Sequence, residues 1–105
     1  MPYQTRRAHG ATWGEHLYVI AAPSAQLVKI GRSWDPERRY RDIGHACPWL
    51  DIELTAVFFE AGCLEGACHK ALEEELPKAG GEWFRGSAAA AIGYINHVIA
   101  QTHAV

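Results

Sequence analysis

Residues 16–39, HLYVIAAPSAQLVKIGRSWDPERR, contain the pattern that decides the fold of this chain. The segment from His16 to Ala22 is rich in β-branched and aromatic residues, which predicts a strand. Pro23-Ser24-Ala25 predicts a turn, and Gln26 to Gly31 predicts a second strand. We therefore expect the two strands to pair as a hairpin.

Three helices and one further strand are predicted outward from the hairpin. Asp35 as N-cap and Pro36 as first helical residue begin a helix that runs to about Gly44. Apolar residues alternate with polar ones from Leu50 to Phe58, as in a half-buried strand. Helices are predicted from Leu64 to Leu76 and from Ala88 to Gln101. Between them, Glu82 to Phe84 is predicted to be short and extended or to begin the next element.

The predicted order is β-β-α-β-α-α, an α+β fold with a small three-stranded antiparallel sheet flanked by helices. The chain has 105 residues, which fits one domain, and we place that domain at residues 14–105. Residues 1–13 read as a polar leader and a candidate for disorder. No secretion signal or membrane-spanning pattern is present, and the three cysteines are an odd number. We expect a cytoplasmic protein with reduced thiols and no membrane partner.

Charge is unevenly distributed along a chain whose formal net charge is only −2. Residues 29–42 hold five of the ten basic residues against three acids, whereas residues 51–75 hold seven acids against Lys70. A local basic patch on an acidic molecule is typical of a protein that contacts phosphates at one face. The alternative is a solvated helix that happens to carry arginines. The basic residues of the patch are Lys29, Arg32, Arg38, Arg39 and Arg41.

Tyr18 and Lys29 lie on the two strands of the predicted hairpin. Pairing about the Pro23-Ser24-Ala25 turn places them nearly opposite each other, within reach of a common ligand. Lys29 is the only charged residue in an otherwise apolar run, so it reads as a partly desolvated amine or as the polar position of an edge strand. Gly31 follows where the backbone must approach closely or turn, or where the strand ends.

Arg38 and Arg39 lie one turn into the first predicted helix. An arginine near a helix N-terminus can bind phosphate oxygens and stabilise charge that develops on phosphorus. We choose Arg39 for this role, beside Tyr40, and assign Arg32, Arg38 and Arg41 to DNA binding. Ordinary surface arginines are the alternative.

Glu82 lies in Gly80-Gly81-Glu82-Trp83-Phe84, and His69 lies on the second predicted helix. A hard cation such as Mg²⁺ accepts one carboxylate together with water and phosphate oxygens, so Glu82 is a candidate metal ligand. His69 is a candidate hydrogen-bond donor to a scissile phosphate. The simpler interpretations are a loop acid and a packed helix histidine.

A structural zinc site is a weaker alternative interpretation of the sequence. His45 with Cys47, and Cys63 with Cys68 and His69, supply ligand types that zinc prefers. Their spacings do not form a Cys-x2-Cys pair, so small buried cysteines are the better interpretation.

Five ordered motifs together resemble the GIY-YIG endonuclease superfamily, in its compact phage and bacterial branch with lysine in place of the second tyrosine. The motifs are Leu17-Tyr18-Val19-Ile20, Lys29 to Ser33, Asp35 to Arg39, Glu65 to His69 and Gly81 to Phe84. The match runs from about Glu15 to Asn96. His16-Leu17-Tyr18 keeps only the tyrosine of the first family motif, and Lys29-Ile30-Gly31 keeps only Ile-Gly of the second.

The resemblance implies a role for each matching residue. Tyr18 would be the general base or an activated phenol, and Lys29 would assist it. Arg39 would bind the scissile phosphate, Glu82 would bind the metal, and Asn96 on the last helix would give polar support.

We therefore expect a metal-dependent endonuclease that hydrolyses DNA phosphodiester bonds with Mg²⁺ or Mn²⁺. Its expected partners are DNA and either a second copy in a homodimer or a partner protein that provides specificity. The alternative is a catalytically weak nucleic-acid-binding or protein-interaction module on the same fold.

Overall fold

A six-stranded sheet forms the centre of the molecule in a computed structural model that describes residues 4–7 and 14–103. The strands lie in the order β1-β4-β2-β3-β6-β5, and all neighbours are antiparallel except β1 and β4, which are parallel. The strands are β1 (Gln4–Arg7), β2 (His16–Ala22), β3 (Leu27–Ser33), β4 (Glu53–Phe59), β5 (Lys78–Gly80) and β6 (Trp83–Arg85). The helices are α1 (Pro36–Ala46), α2 (Glu65–Glu75) and α3 (Ala88–His103).

The α+β class and the three helices agree with the sequence prediction, but the prediction of three strands was wrong. The predicted strands are the central β4, β2 and β3, and three short strands extend the sheet. β5 and β6 have three residues each, which is too short to show an alternating pattern. β1 has the polar sequence QTRR and joins the edge through its backbone pairing with β4. The rest of the predicted leader, residues 1–3 and 8–13, lies outside the described residues.

The hairpin of β2 and β3 forms as predicted, with a connection longer than the predicted turn. Pro23–Ala25 make a single 3₁₀ turn, and Gln26 closes it with a left-handed φ of 55° and an N–H that donates to the Pro23 carbonyl. The connection sets the register so that Tyr18 pairs with Gly31 and Lys29 pairs with Ile20. Tyr18 and Lys29 are therefore diagonal neighbours on one face, rather than nearly opposite.

The two faces of the central strands differ in what covers them. Leu17 and Val19 of β2 face an apolar core shared with Phe58, Phe84 and helices α2 and α3. Tyr18 and Ile20 face the other side, where a smaller cluster includes Tyr40 and Ile43 of α1. Alternation along a strand sends successive side chains to opposite faces, so one strand serves both sides.

The helix boundaries follow local chemistry. Asp35 is the N-cap of α1 and its carboxylate accepts the Arg38 backbone N–H at 3.2 Å, as the sequence predicts. On the other side of the sheet, α2 begins at Glu65 after a short 3₁₀ turn and ends two residues before Pro77, which cannot continue a helix.

Candidate functional site

Tyr18 lies directly across the hairpin from Gly31, and its ring covers the glycine. A Cβ added at Gly31 would lie 2.3 Å from the Tyr18 hydroxyl and 2.5 Å from Cζ, far inside van der Waals contact. Tyr18 is 1% exposed. Gly31 is therefore required by the close approach of the tyrosine.

The site lies where the edge of β3 becomes open. β6 pairs with β3 only at Leu27, Val28 and Lys29, so from Ile30 onward β3 has no strand beside it on that edge among the described residues. The Ile30 N–H donates to the Glu82 carbonyl at 3.3 Å, and His69 Nε2 lies 2.8 Å from the Ile30 carbonyl. These two contacts bring the residue before β6 and the first turns of α2 to the open edge.

Lys29 and Glu82 form an ion pair at this edge. Lys29 Nζ donates to Glu82 Oε1 at 2.5 Å, and the lysine side chain is 9% exposed while that of Glu82 is 41% exposed. The Lys29 ammonium also lies 5.9 Å from the centroid of the Trp83 ring. The two predicted site residues are thus brought together, with Glu82 rather than Tyr18 as the bonded partner of Lys29.

Glu65, the first residue of α2, interacts with Glu82 and completes a carboxyl pair. Burial raises the pKa of Glu65, and the negative charge of Glu82 raises it further. Burial also acts to raise the pKa of Glu82, but the hydrogen bond and charge of Lys29, with smaller contributions from His69 and Glu65, hold it below its ordinary value. The pair therefore has unequal members, with the proton favoured on Glu65 and the charge on Glu82.

One oxygen of Glu65 is left unsatisfied among the described residues. Its Oε2 is buried and has no hydrogen-bond partner there. Such an atom is costly to bury and calls for a proton or a cation. Glu65 begins the Glu65-to-His69 motif, but no role is predicted for it from the sequence, although its place in the motif was a signal for one.

Arg39 connects α1 to the buried tyrosine. Burial raises the pKa of Tyr18 above its usual range, and the hydrogen bond from Arg39 only partly opposes this effect. The nearby charges of Glu82 and Glu65 add to the increase. In the free protein the phenol is therefore protonated at neutral pH.

The other predicted residues lie around or away from this cluster. Arg32 is exposed and its Nε lies 3.5 Å from Glu15 and 3.7 Å from Glu65, so it borders the carboxyl pair. Arg38 and Arg41 are exposed on α1. Asn96 is exposed on α3, and none of the described contacts joins it to the cluster.

A separate cavity of about 310 Å³ lies at the other end of the hairpin. Its lining includes Pro23, Leu27, Glu53 and Ala88. The cavity is mostly apolar and contains neither the buried tyrosine nor the carboxyl pair. The polar chemistry therefore lies at the open end of β3 rather than in this cavity.

The cysteines do not assemble a zinc site within the described part of the chain. Cys47 is half-buried, Cys63 is exposed and Cys68 is buried in the core beneath α2. Burial raises the pKa of Cys68 to about 12, so it is a neutral thiol rather than a thiolate ligand. Residues 14–102 contain no group of three or more His, Cys, Asp or Glu side chains arranged to hold a metal.

The family model of the T5orf172 domain matches residues 15–99, and the chain therefore belongs to the T5orf172 domain family. This domain is found in nuclease-like proteins of phages and bacteria. No curated protein and no solved structure matches the chain. In the described residues, every helix is too short or too polar to cross a membrane.

Proposed function

We propose that this chain is a GIY-YIG-type endonuclease that hydrolyses DNA phosphodiester bonds with Mg²⁺ or Mn²⁺. The observation that carries the proposal is the convergence of Tyr18, Arg39, Lys29, Glu82 and Glu65 at the open end of β3. A phenol, a guanidinium, an amine and carboxylates are the groups needed to bind a phosphodiester and activate water beside one divalent ion.

The carboxyl pair fits a single hard cation. Glu82 and Glu65 offer oxygens that already face each other, and the unsatisfied Oε2 of Glu65 is suited to a positive charge. Because no third acidic or histidine ligand is grouped with them in residues 14–102, most ligands would come from water and substrate oxygens. Mg²⁺ is commonly bound in this way, by one or two carboxylates. The ion would supply Lewis-acid stabilisation of charge on the phosphate.

The other residues have separate roles in the proposed hydrolysis. Arg39 binds a non-bridging phosphate oxygen and stabilises the charge that develops in the transition state. Added positive charge would lower the pKa of the Tyr18 phenol so that it releases its proton to solvent, and the phenolate then orients the attacking water and accepts a proton from it. Lys29 holds Glu82 in place through their ion pair, and His69 is available as a donor beside the same edge.

A second candidate function is a nucleic-acid-binding module with weak activity. The observation that favours it is the buried Tyr18, whose raised pKa opposes proton acceptance in the free protein. In either case we propose action in the cytoplasm, as a homodimer or with a partner protein that provides specificity.

The test compares Arg39→Ala with Arg41→Ala, two exposed arginines on the same helix. Nicking of supercoiled DNA is measured with Mg²⁺, with Mn²⁺ and with EDTA, and binding is measured across a salt series. We expect Arg39→Ala to lower turnover by roughly 10²–10³-fold. We expect Arg41→Ala to weaken binding and to reduce the salt slope by about one, with turnover kept.

Each result separates the two candidates. Cleavage that needs the metal and is lost in Arg39→Ala supports the endonuclease. Equal losses of binding and turnover in both variants would indicate a simple basic binding surface. Salt-dependent binding without cleavage under any metal condition would favour the binding module.

A further inference from the structure

Two tryptophans are the large apolar side chains most open to solvent among the described residues. Trp34 is 69% exposed and Trp49 is 79% exposed. Trp34 precedes α1, and Trp49 follows it in the turn of Cys47 to Leu50. Single exposed aromatic residues are common, so exposure by itself assigns nothing to either residue.

Trp34 differs from an ordinary exposed aromatic because its backbone is fixed on both sides. The Asp35 N–H donates to Ser33 Oγ at 3.0 Å, which closes a tight turn around Trp34. The Asp35 carboxylate then caps α1 by accepting the Arg38 N–H. The indole is thus presented to solvent from a rigid junction between β3 and α1.

The chain places Trp34 between residues of the proposed site. Trp34 lies three residues after Gly31, which supports the Tyr18 ring, and five before Arg39, whose side chain acts to lower the pKa of Tyr18. Arg32 and Arg38, both exposed, flank it in sequence. An exposed indole close in sequence to exposed arginines suits a strand of nucleic acid, because arginines bind phosphates while an indole stacks on a base.

We propose that Trp34 is a stacking site for an unpaired nucleobase next to the scissile phosphate. The proposal rests on the endonuclease function for the location of that phosphate, but the stacking itself does not depend on catalysis. Bases inside a duplex are stacked on each other and do not offer their faces to an indole, so the substrate class is DNA with a single-stranded segment at the cleavage point.

The test measures binding by fluorescence anisotropy in EDTA, which keeps catalysis out of the readout. The probes are an end-labelled oligothymidylate, a duplex of the same length, and a strand of the same length whose internal residues are abasic. Stacking on a base contributes roughly 5- to 150-fold in affinity by alanine substitution, and we expect Trp34→Ala to lose that much on oligothymidylate. Trp34→Phe should retain most of the affinity.

Trp49→Ala is the matched control, because Trp49 is at least as exposed but lies at the opposite end of α1. We expect it to change affinity for oligothymidylate less than about 2-fold, and we expect Trp34→Ala to leave duplex and abasic binding nearly unchanged. Circular dichroism verifies that each variant is folded.

Several outcomes would overturn the proposal. The first is an equal loss of affinity in Trp34→Ala and Trp49→Ala, and the second is an equal loss in Trp34→Ala for single-stranded and duplex DNA. The third is a loss of affinity in Trp34→Ala that is as large for the abasic strand as for oligothymidylate, and the fourth is no loss of affinity in Trp34→Ala. Absence of binding to any DNA would reassign the exposed indole to a protein partner. Cleavage assays distinguish the two proposals. Base-dependent stacking without cleavage would contradict only the endonuclease proposal. If Trp34→Ala leaves the cleavage of both duplex and single-stranded DNA unchanged, only the stacking proposal is contradicted.

Discussion

The two faces of the central sheet use the same strands for different purposes. On the face covered by α2 and α3, Leu17, Val19 and Phe58 pack in a core of apolar side chains. On the α1 face, the alternate residues include Tyr18 and Lys29, whose polar groups interact with Arg39 and Glu82. A residue's position in the two-residue repeat, more than the strand it belongs to, therefore determines whether it packs in the apolar core or joins the polar cluster.

Glu82→Gln should have the largest effect on activity and a small effect on the fold. Loss of the anionic ligand removes several kcal/mol of transition-state stabilisation, so we expect nicking to fall at least about 10³-fold. Lys29 also loses its ion-pair partner, which should lower the melting temperature modestly. Nicking rates and Mn²⁺ titration followed by electron paramagnetic resonance measure the activity and the metal affinity.

The double variant Lys29→Met/Glu82→Gln is the control for that loss. It removes both charges, so we expect stability to return while metal affinity and cleavage stay low. A Glu82→Gln variant with the metal affinity of the unmodified protein would show that the metal binds elsewhere.

Phe58→Ala should mainly lower the unfolding free energy, whereas Tyr18→Phe should mainly lower the cleavage rate. Phe58 is fully buried in the apolar core, and its truncation should cost about 3–5 kcal/mol of unfolding free energy. Tyr18→Phe keeps the buried ring and loses one hydroxyl, so it should cost only about 1 kcal/mol while cleavage falls roughly 10²–10⁴-fold. Urea denaturation and nicking assays on both variants measure the contrast. Similar stability losses in the two variants would erase the distinction between the faces.

Gly31→Ala tests the close approach of the Tyr18 ring to Gly31 on the α1 face. The new methyl group would overlap the Tyr18 ring, so the tyrosine must move, and we expect a loss of about 1–3 kcal/mol together with reduced cleavage. Tyr18→Phe should not rescue the stability of Gly31→Ala, because Cζ itself lies 2.5 Å from the added atom.

Gly93→Ala in α3 is the matched control for Gly31→Ala. In the described part of the chain nothing lies within 4 Å of the added Cβ, so it should stabilise the protein by about 0.5–1 kcal/mol through helix propensity. A Gly31→Ala variant as stable and active as Gly93→Ala would contradict the packing of Tyr18 against Gly31.

Cys68 provides the smallest expected effect, a pH dependence on the apolar face. Burial raises its pKa to about 12 from an ordinary value of 9.0, so the folded protein holds this proton more tightly than the unfolded chain. The contribution of this protonated thiol to the unfolding free energy is fully present below pH 9 and is lost as the pH rises toward 12. The slope should be at most about 1.4 kcal/mol per pH unit.

Denaturation at pH 8.0 and 10.0 measures this slope in Cys68→Ala and in Cys63→Ala, whose cysteine is exposed. We expect the slope to shrink in Cys68→Ala and to persist in Cys63→Ala. An unchanged slope in Cys68→Ala would place the titrating group elsewhere.

The sequence by itself determined the hairpin, the Asp35-capped helix, the α+β class and most of the residues gathered at the site. These follow from local patterns: strand propensity, a cap followed by proline, and apolar periodicity. It also indicated Glu82 and Arg39 through the order of motifs. It did not determine the number of strands, since β1, β5 and β6 are too short or too polar to carry a pattern of their own.

Only the tertiary structure decided which of the candidate groups interact. The four-residue connection of the hairpin set the register that places Tyr18 on Gly31. Because β6 begins only at Trp83, opposite Lys29, the edge of β3 is open where Glu82 meets Lys29. The same opening brought Glu65 of α2 against Glu82, although 17 positions separate them in the chain. Side-chain pairing across a sheet depends on backbone register and strand length, and a local pattern contains neither.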